Sequence, residues 1–278
     1  MVFVPKSRPR SGPVGNAAAW ERKSVLSRSA AIAVLCASLV LPASARGEEA
    51  SARAALDDSA WAFVHWAGEA ARAAEVFGVA PPALTARYAY DGEDGARSLS
   101  ASARAGRVTL RLQGSGWRQR AAGAERLLTR NAAHEVAHLY QYAQGPALEP
   151  RWLHEGFADA LAHEALSATG EASGWGGGAR CAEVLGQRPI DEAQAAGALH
   201  ALYDCSSLAI RAVAAARQES VRDLYRAFAE AGGTDAAFLR LAEEAGSRHA
   251  RSVEAFLTGD WRQARPAWVL RQLRAGRL

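Results

Sequence analysis

The chain has 278 residues and a formal net charge of +4, but the charge is unevenly placed. Lys6, Arg8, Arg10, Arg22, Lys23 and Arg28 fall within the first 45 residues against Glu21 alone, so the remainder carries about −1 and arginine supplies all its cations. A nucleic-acid-binding function is excluded on that balance, because no concentrated basic stripe is left along the sequence.

The leader comes first. Ala30 to Leu41 is an unbroken run of apolar and small residues, closed by Pro42-Ala43-Ser44-Ala45. A basic start, a short apolar run and an Ala-x-Ala ending make a secretory signal peptide over residues 1–45, with cleavage expected after Ala45. The run falls short of the roughly 20 apolar residues of a membrane span. An uncleaved anchor is the alternative. Leu35 stands before Cys36 where a lipidation site wants a small residue. The mature protein is expected in the periplasm or outside the cell, with no stable membrane insertion.

Residues 46–278 suit one domain of two lobes, 46–145 and 146–278. Ala60, Phe63, Val64, Ala67, Ala71 and Ala74 recur at helical spacing and predict a helix over 57–77, barred from continuing by Pro81-Pro82. Leu84 to Tyr90 alternates and predicts a strand, followed by a turn at Asp91-Gly92-Glu93-Asp94-Gly95. Val108 to Leu112 predicts a second strand, closed by Gly114 and Gly116. From Arg118 to Tyr142 the pattern is helical.

That helix carries His134-Glu135-Val136-Ala137-His138. Residues four apart share a helix face, so His134 and His138 can hold one metal ion from one side. Glu135 is rotated by about 100° and lies beside the ion, where it can take a proton from water. Ala132, Ala133, Val136, Ala137 and Leu139 surround the motif with the apolar residues of a buried helix. The next predicted helix, 150–168, contains Trp152-Leu153-His154-Glu155-Gly156-Phe157-Ala158-Asp159. Glu155 is the candidate third ligand. Two histidines and a glutamate leave one tetrahedral position for water, the arrangement of catalytic zinc.

The two segments together resemble the gluzincin metallopeptidases, the clan of thermolysin and the zinc aminopeptidases. The second is similar to the aminopeptidase pattern Trp-Leu-Asn-Glu-Gly-Phe-Ala, with His154 in place of the asparagine. The resemblance implies an α+β, zincin-like fold: a small N-terminal sheet, an active-site helix, and a mostly helical C-terminal half. It implies that the last strand before the zinc helix runs along the cleft as a sheet edge, where substrate backbone can add as a strand. One zinc ion is implied, held by His134, His138 and Glu155, with Glu135 as general base. Asp159, one turn past Glu155, would hydrogen-bond the first histidine and fix its tautomer. Tyr203 opens a stretch, Tyr203 to Ile210, similar to the one whose tyrosine donates to the oxyanion; Tyr142 is the runner-up. No Gly-x-Met-Glu-Asn segment is present to grip a free amine, so endopeptidase action on peptide or protein substrates is favoured over aminopeptidase action. A zinc-binding interaction module without catalysis is the competing class, and the intact Glu135 argues against it.

The remaining histidines read differently. His154 neighbours a ligand but points about 100° away from it, so it lines the cleft or the surface. His163 is about 12 Å along the helix from Glu155 and reads as structural. His65, His200 and His249 have no partners at ligand spacing. Ser173-Gly174-Trp175-Gly176-Gly177-Gly178 is a loop that matches no phosphate-binding motif. Helices are predicted at 203–217, 219–231, 235–245 and 248–258. Beyond the leader only Cys181 and Cys205 remain, an even pair for an oxidising compartment. A bridge between them would close a loop of about 24 residues, worth on the order of 3 kcal/mol.

Overall fold

A computed structural model of the chain describes residues 43–89, 97–118, 120, 123–145, 150–168, 188–197 and 201–259, with side chains from Ser59 onward. The leader to Pro42, the turn at 91–95, the loop 173–178, Cys36, Cys181 and His200 lie outside the described residues.

Helix α1 spans Ala43–Phe77, starting well before residue 57. Residues 43–56 are rich in alanine, glutamate and arginine, good helix formers that lack an apolar period to announce them. Its buried face is also one position away from the expected stripe: Ala62, Trp66, Ala70, Ala73, Ala74 and Phe77 face the core, while Val64 is 63% exposed. The indoles decide the rotation. Trp66 donates to Asn131 Oδ1 at 2.8 Å, and Trp61 donates to the Trp117 carbonyl at 2.8 Å. Among the described residues no helix is long and apolar enough to cross a membrane.

Three strands follow: β1 (Ala83–Ala89), β2 (Ser98–Arg104) and β3 (Arg107–Gln113). They lie in the order β1-β3-β2, with β1 parallel and β2 antiparallel to β3. The last strand is therefore central, correcting the expectation that it forms the edge at the cleft. It is the apolar strand of the three, with Val108, Leu110 and Leu112 fully buried, and a strand so buried takes partners on both sides. β2, which no apolar alternation announced, alternates serine outward with Leu99, Ala101 and Ala103 inward. Ala105 and Gly106, at φ 43° and 78°, close the β2–β3 hairpin as two left-handed residues, matching strand twist.

The register gathers charge that the linear sequence hides. Arg104 lies opposite Arg107, and Arg87 beside Arg111, all exposed on the face turned from the core. Period-two alternation turns arginines scattered along the sequence into one face.

Helix α2 spans Ala124–Gln144, after Gly123 at φ 81°, and α3 spans Arg151–Ala168. A short α4 (Ile190–Ala195) and a π turn (Ala201–Cys205) lead into α5 (Ser206–Arg217), α6 (Val221–Glu230), α7 (Asp235–Ala245) and α8 (Ser247–Thr258). Ser220 and Thr234 cap α6 and α7, accepting from the backbone N–H groups of Asp223 and Ala237. Phe157 of α3 packs at ring separations of 5.0–5.7 Å against Tyr225, Phe228 and Phe238. The architecture is α+β: a helical body carrying a small sheet, with α3 through its middle.

Candidate metal centre

His134 and His138 stand one turn apart on the buried face of α2, 8% and 6% exposed. Their Nε2 atoms are 3.0 Å apart, and Glu155 Oε2 on α3 lies 3.3 Å from the first and 3.4 Å from the second. These three atoms form a cluster that can hold one metal ion. Ligands at about 2.0–2.1 Å from a tetrahedral ion stand roughly 3.3–3.4 Å from one another. The two edges to Glu155 have that length and the edge between the histidines is shorter, at 3.0 Å.

The far side of each imidazole is held. His134 Nδ1 donates to Asp159 Oδ1 at 2.9 Å, and His138 Nδ1 donates to Gln141 Oε1 at 2.7 Å. Gln141 is itself fixed, its amide donating to the His154 carbonyl at 2.9 Å. With Nδ1 the donor to Asp159 and to Gln141, the Nε2 atom of each ring is turned toward Glu155. Asp159 falls where expected. Gln141 was not anticipated, although its place three residues past His138 puts it on the same helix face.

The charges already sum to a cation site. Burial opposes charge on His134, but hydrogen bonds to Asp159 and Glu155, with the Asp159 charge, outweigh it and hold the ring at about 10. Burial lowers His138, helped by the charge on His134. Burial would raise Glu155, yet hydrogen bonds from both histidines hold it far below the usual carboxylate range. An ionised carboxylate set between two imidazoles, with the His134 ring drawing a proton, makes the point where the three meet one that favours positive charge.

Glu135 is 5% exposed and stands beside the ligand triangle without belonging to it, as its 100° offset requires. Its carboxylate accepts from the Asn131 side chain and from the Ala103 backbone N–H, while burial raises its pKa on balance. Asn131 in turn accepts from Trp66, so α1 orients the amide that orients the acid. Ala103 belongs to β2, which makes this edge strand, and not β3, the strand beside Glu135.

Tyr203 sits half-buried in the π turn with its ring 5.6 Å from that of His134, edge-on. Burial and the nearby Glu155 charge push its hydroxyl up to about 12, so it stays a donor. Asp204 accepts from Arg130 at 2.9 Å, and the same guanidinium donates to Asp159 at 3.0 Å. Arg130 therefore ties the Tyr203 turn to the acid behind His134. No motif spacing singled it out; its place one turn before His134 is the available signal.

Gly156 explains how α3 and α5 come so close. A Cβ there would lie 2.5 Å from Ser206 Cβ and 2.9 Å from Ile210 Cδ1. The glycine after Glu155 is thus a packing requirement that brings the Tyr203 turn up to the ligand.

His154 stacks on His138 at 4.4 Å and 23°, and Tyr142 lies 5.8 Å beyond it, 39% exposed. His154 is outside the ligand triangle, as its rotation demands. Tyr142 stacks on His138 at 6.5 Å, whereas Tyr203 meets His134. His163 lies off the site, bonded to Ser167 Oγ and lowered to about 4 by burial and the Arg211 charge. His65 bonds Thr129, and His249 is buried on α8.

Compared with known proteins, the chain matches no family model, no curated protein and no solved structure.

Proposed function

We propose that the protein is an exported zinc-dependent peptidase of gluzincin type, acting on peptide bonds within chains. The observation that carries the reading is the 3.0–3.4 Å triangle of two imidazole nitrogens and one carboxylate oxygen, with a buried, non-ligating Glu135 beside it. His134, His138 and Glu155 would hold one zinc ion, which would supply the Lewis acidity that makes water nucleophilic at neutral pH.

Each residue then has a task. Glu135 takes the proton of the attacking water and passes it to the leaving nitrogen. Asn131 and the Ala103 amide aim its carboxylate while it is charged. The Tyr203 hydroxyl donates to the oxygen that gains charge as the carbonyl is attacked. Asp159 and Gln141 keep both imidazoles in the ligating tautomer. Substrate backbone pairs with the open edge of β2, since Ala103 places that edge at Glu135.

Residues 1–45 act as the export signal in this reading, and the zincin-like domain follows in two lobes around the cleft. Cys205 is buried, and in this reading it bridges to Cys181. Oxidised cysteines suit an exported protein.

The test is Glu135→Gln, assayed on a peptide library alongside a zinc determination. Peptide hydrolysis by the parent, lost in the variant with zinc retained, supports catalysis. Zinc binding with no hydrolysis by either protein would establish the interaction module instead.

A further inference from the structure

The outer face of the sheet has no task in peptide hydrolysis, and its composition is one-sided. Twelve positions point outward from the three strands: Ala83, Thr85, Arg87 and Ala89; Ser98, Ser100, Ser102 and Arg104; Arg107, Thr109, Arg111 and Gln113. Four are arginines, none is acidic and none is aromatic. Among the described residues no carboxylate pairs with Arg87, Arg104, Arg107 or Arg111.

Their placement goes against ordinary sheet stability. Arg104 faces Arg107 and Arg111 flanks Arg87 in register, and like charges directly across strands repel. The two pairs lie about 13 Å apart along β3, four residues at roughly 3.3 Å each. Hydroxyls fill the space between them: Thr85, Thr109 and Ser102 form one transverse row. At the hairpin end Ser102, Arg104, Ala105, Arg107 and Thr109 line an open recess. A guanidinium pair beside two hydroxyls supplies donors from several directions, as a tetrahedral oxyanion requires.

We infer that this face docks the protein on a membrane surface bearing anionic phospholipid headgroups, one phosphate at each arginine pair. The other polyanions fit less well. A single nucleic-acid strand is held by stacked bases, and this face has no aromatic. Duplex readers insert a helix, a β-ribbon or an arm into a groove, whereas here the cations lie across the flat face of a three-stranded sheet. A folded protein partner takes its binding energy from aromatic and arginine anchors packed into desolvated pockets, and this face has arginines but no aromatic to pack beside them. A plane of phosphates asks only for spread cations and hydroxyl donors, without insertion.

Full-length protein is sedimented with phosphatidylcholine vesicles containing 30% phosphatidylglycerol on the order of the anionic fraction that recruits basic segments. Two variants are compared with the parent, each with four cations removed: Arg87, Arg104, Arg107 and Arg111→Gln on the sheet, and Arg8, Arg10, Arg22 and Arg28→Gln in the leader. Each arginine near an anionic surface contributes roughly fivefold in partitioning, so the sheet variant should lose on the order of several hundredfold. Parental binding should vanish on pure phosphatidylcholine and weaken steeply with salt. Circular dichroism checks that both variants keep the parental fold. The inference fails if the sheet variant binds within twofold of the parent, or if polyglutamate, duplex DNA or inorganic phosphate is bound while the vesicles are not. Because no substrate is present, loss of the peptidase reading would leave this measurement unchanged.

Discussion

Arg130 stands between Asp159 and Asp204, with both carboxylates at 2.9–3.0 Å. Arg104 and Arg107 stand opposite one another, exposed, with no carboxylate partner among the described residues. The same side chain serves opposite ends in the two regions. At the metal centre the charges answer one another, and the chain Asp204–Arg130–Asp159–His134 transmits position from the π turn to the ligand nitrogen. On the sheet face the charges are left to water and to each other. A buried polar group without a partner is costly, so the interior must pair its charges or lose stability. An exposed guanidinium faces no such demand. Unpaired charge at the surface is therefore open to selection for binding, while paired charge in the interior serves geometry.

The largest expected effect breaks the interior's chemistry without its geometry. Glu135→Gln should lower the peptidase turnover by about 10²–10⁴-fold, the usual worth of a positioned acid–base group, while zinc content stays at one per chain. Glu155→Gln should lose metal and activity together, since it removes an ionised ligand. The two variants separate a base from a ligand although both are glutamates near one ion. Retained zinc affinity in Glu155→Gln would take α3 out of the metal centre.

Next comes the packing on which that geometry rests. Gly156→Ala drives a methyl against Ser206 Cβ, Ile210 Cδ1 and the Ser206 backbone. Overpacking of this kind costs about 1–3 kcal/mol, read as a shift of the denaturation midpoint. Ser206→Gly in the same chain removes the nearest atom and should restore part of the loss. A Gly156→Ala protein as stable as the parent would show that α3 and α5 can separate freely.

How much of this was readable in advance differs between the two regions for a physical reason. The metal ligands, the base and Asp159 lie on two helices at spacings of one, three or four residues, and helical geometry converts such spacings directly into a shared face. The helices at 151–168 and from 206 to 258 were legible on the same grounds, whereas the short α4 was not announced. Contacts between distant segments were not. Asn131, Gln141 and Arg130 act through partners brought in from α1, α3 and the π turn, and no local spacing announces those. β2 was silent because alternating serine and alanine give little hydrophobic contrast. The basic face depended on β2, since without that strand Arg104 has no register against Arg107. The face of α1 was missed by one position because alanine fills both candidate stripes, leaving Trp61 and Trp66 to choose.

Asp159→Asn probes the interior more gently. The amide can still accept from His134 Nδ1 but carries no charge, and Arg130 loses one of its two acids. Loss of such an outer partner typically weakens metal binding by 10–100-fold, here measured by competition with a chelator. Arg130→Met should act in the same direction and by less, because Asp159 keeps its bond to His134. If Arg130→Met weakened binding more than Asp159→Asn, Arg130 would act on the site by a route other than Asp159.

The smallest effect belongs to the sheet, and its sign is what matters. Surface substitutions usually fall within about ±0.5 kcal/mol, so neither Arg104→Gln nor Arg107→Gln alone should move stability much. Their coupling is the informative quantity. Two like charges in register repel by a few tenths of a kcal/mol, so each single change should stabilise slightly and the second should add nothing once the first is made. High salt should erase the coupling, because both groups are exposed and screening acts over about 10 Å at 0.1 M. The Asp159–Arg130 pair, measured by the same cycle, should couple with the opposite sign and depend less on salt, because Asp159 is almost fully buried. An attractive coupling between Arg104 and Arg107 would mean that something anionic already sits between them in solution.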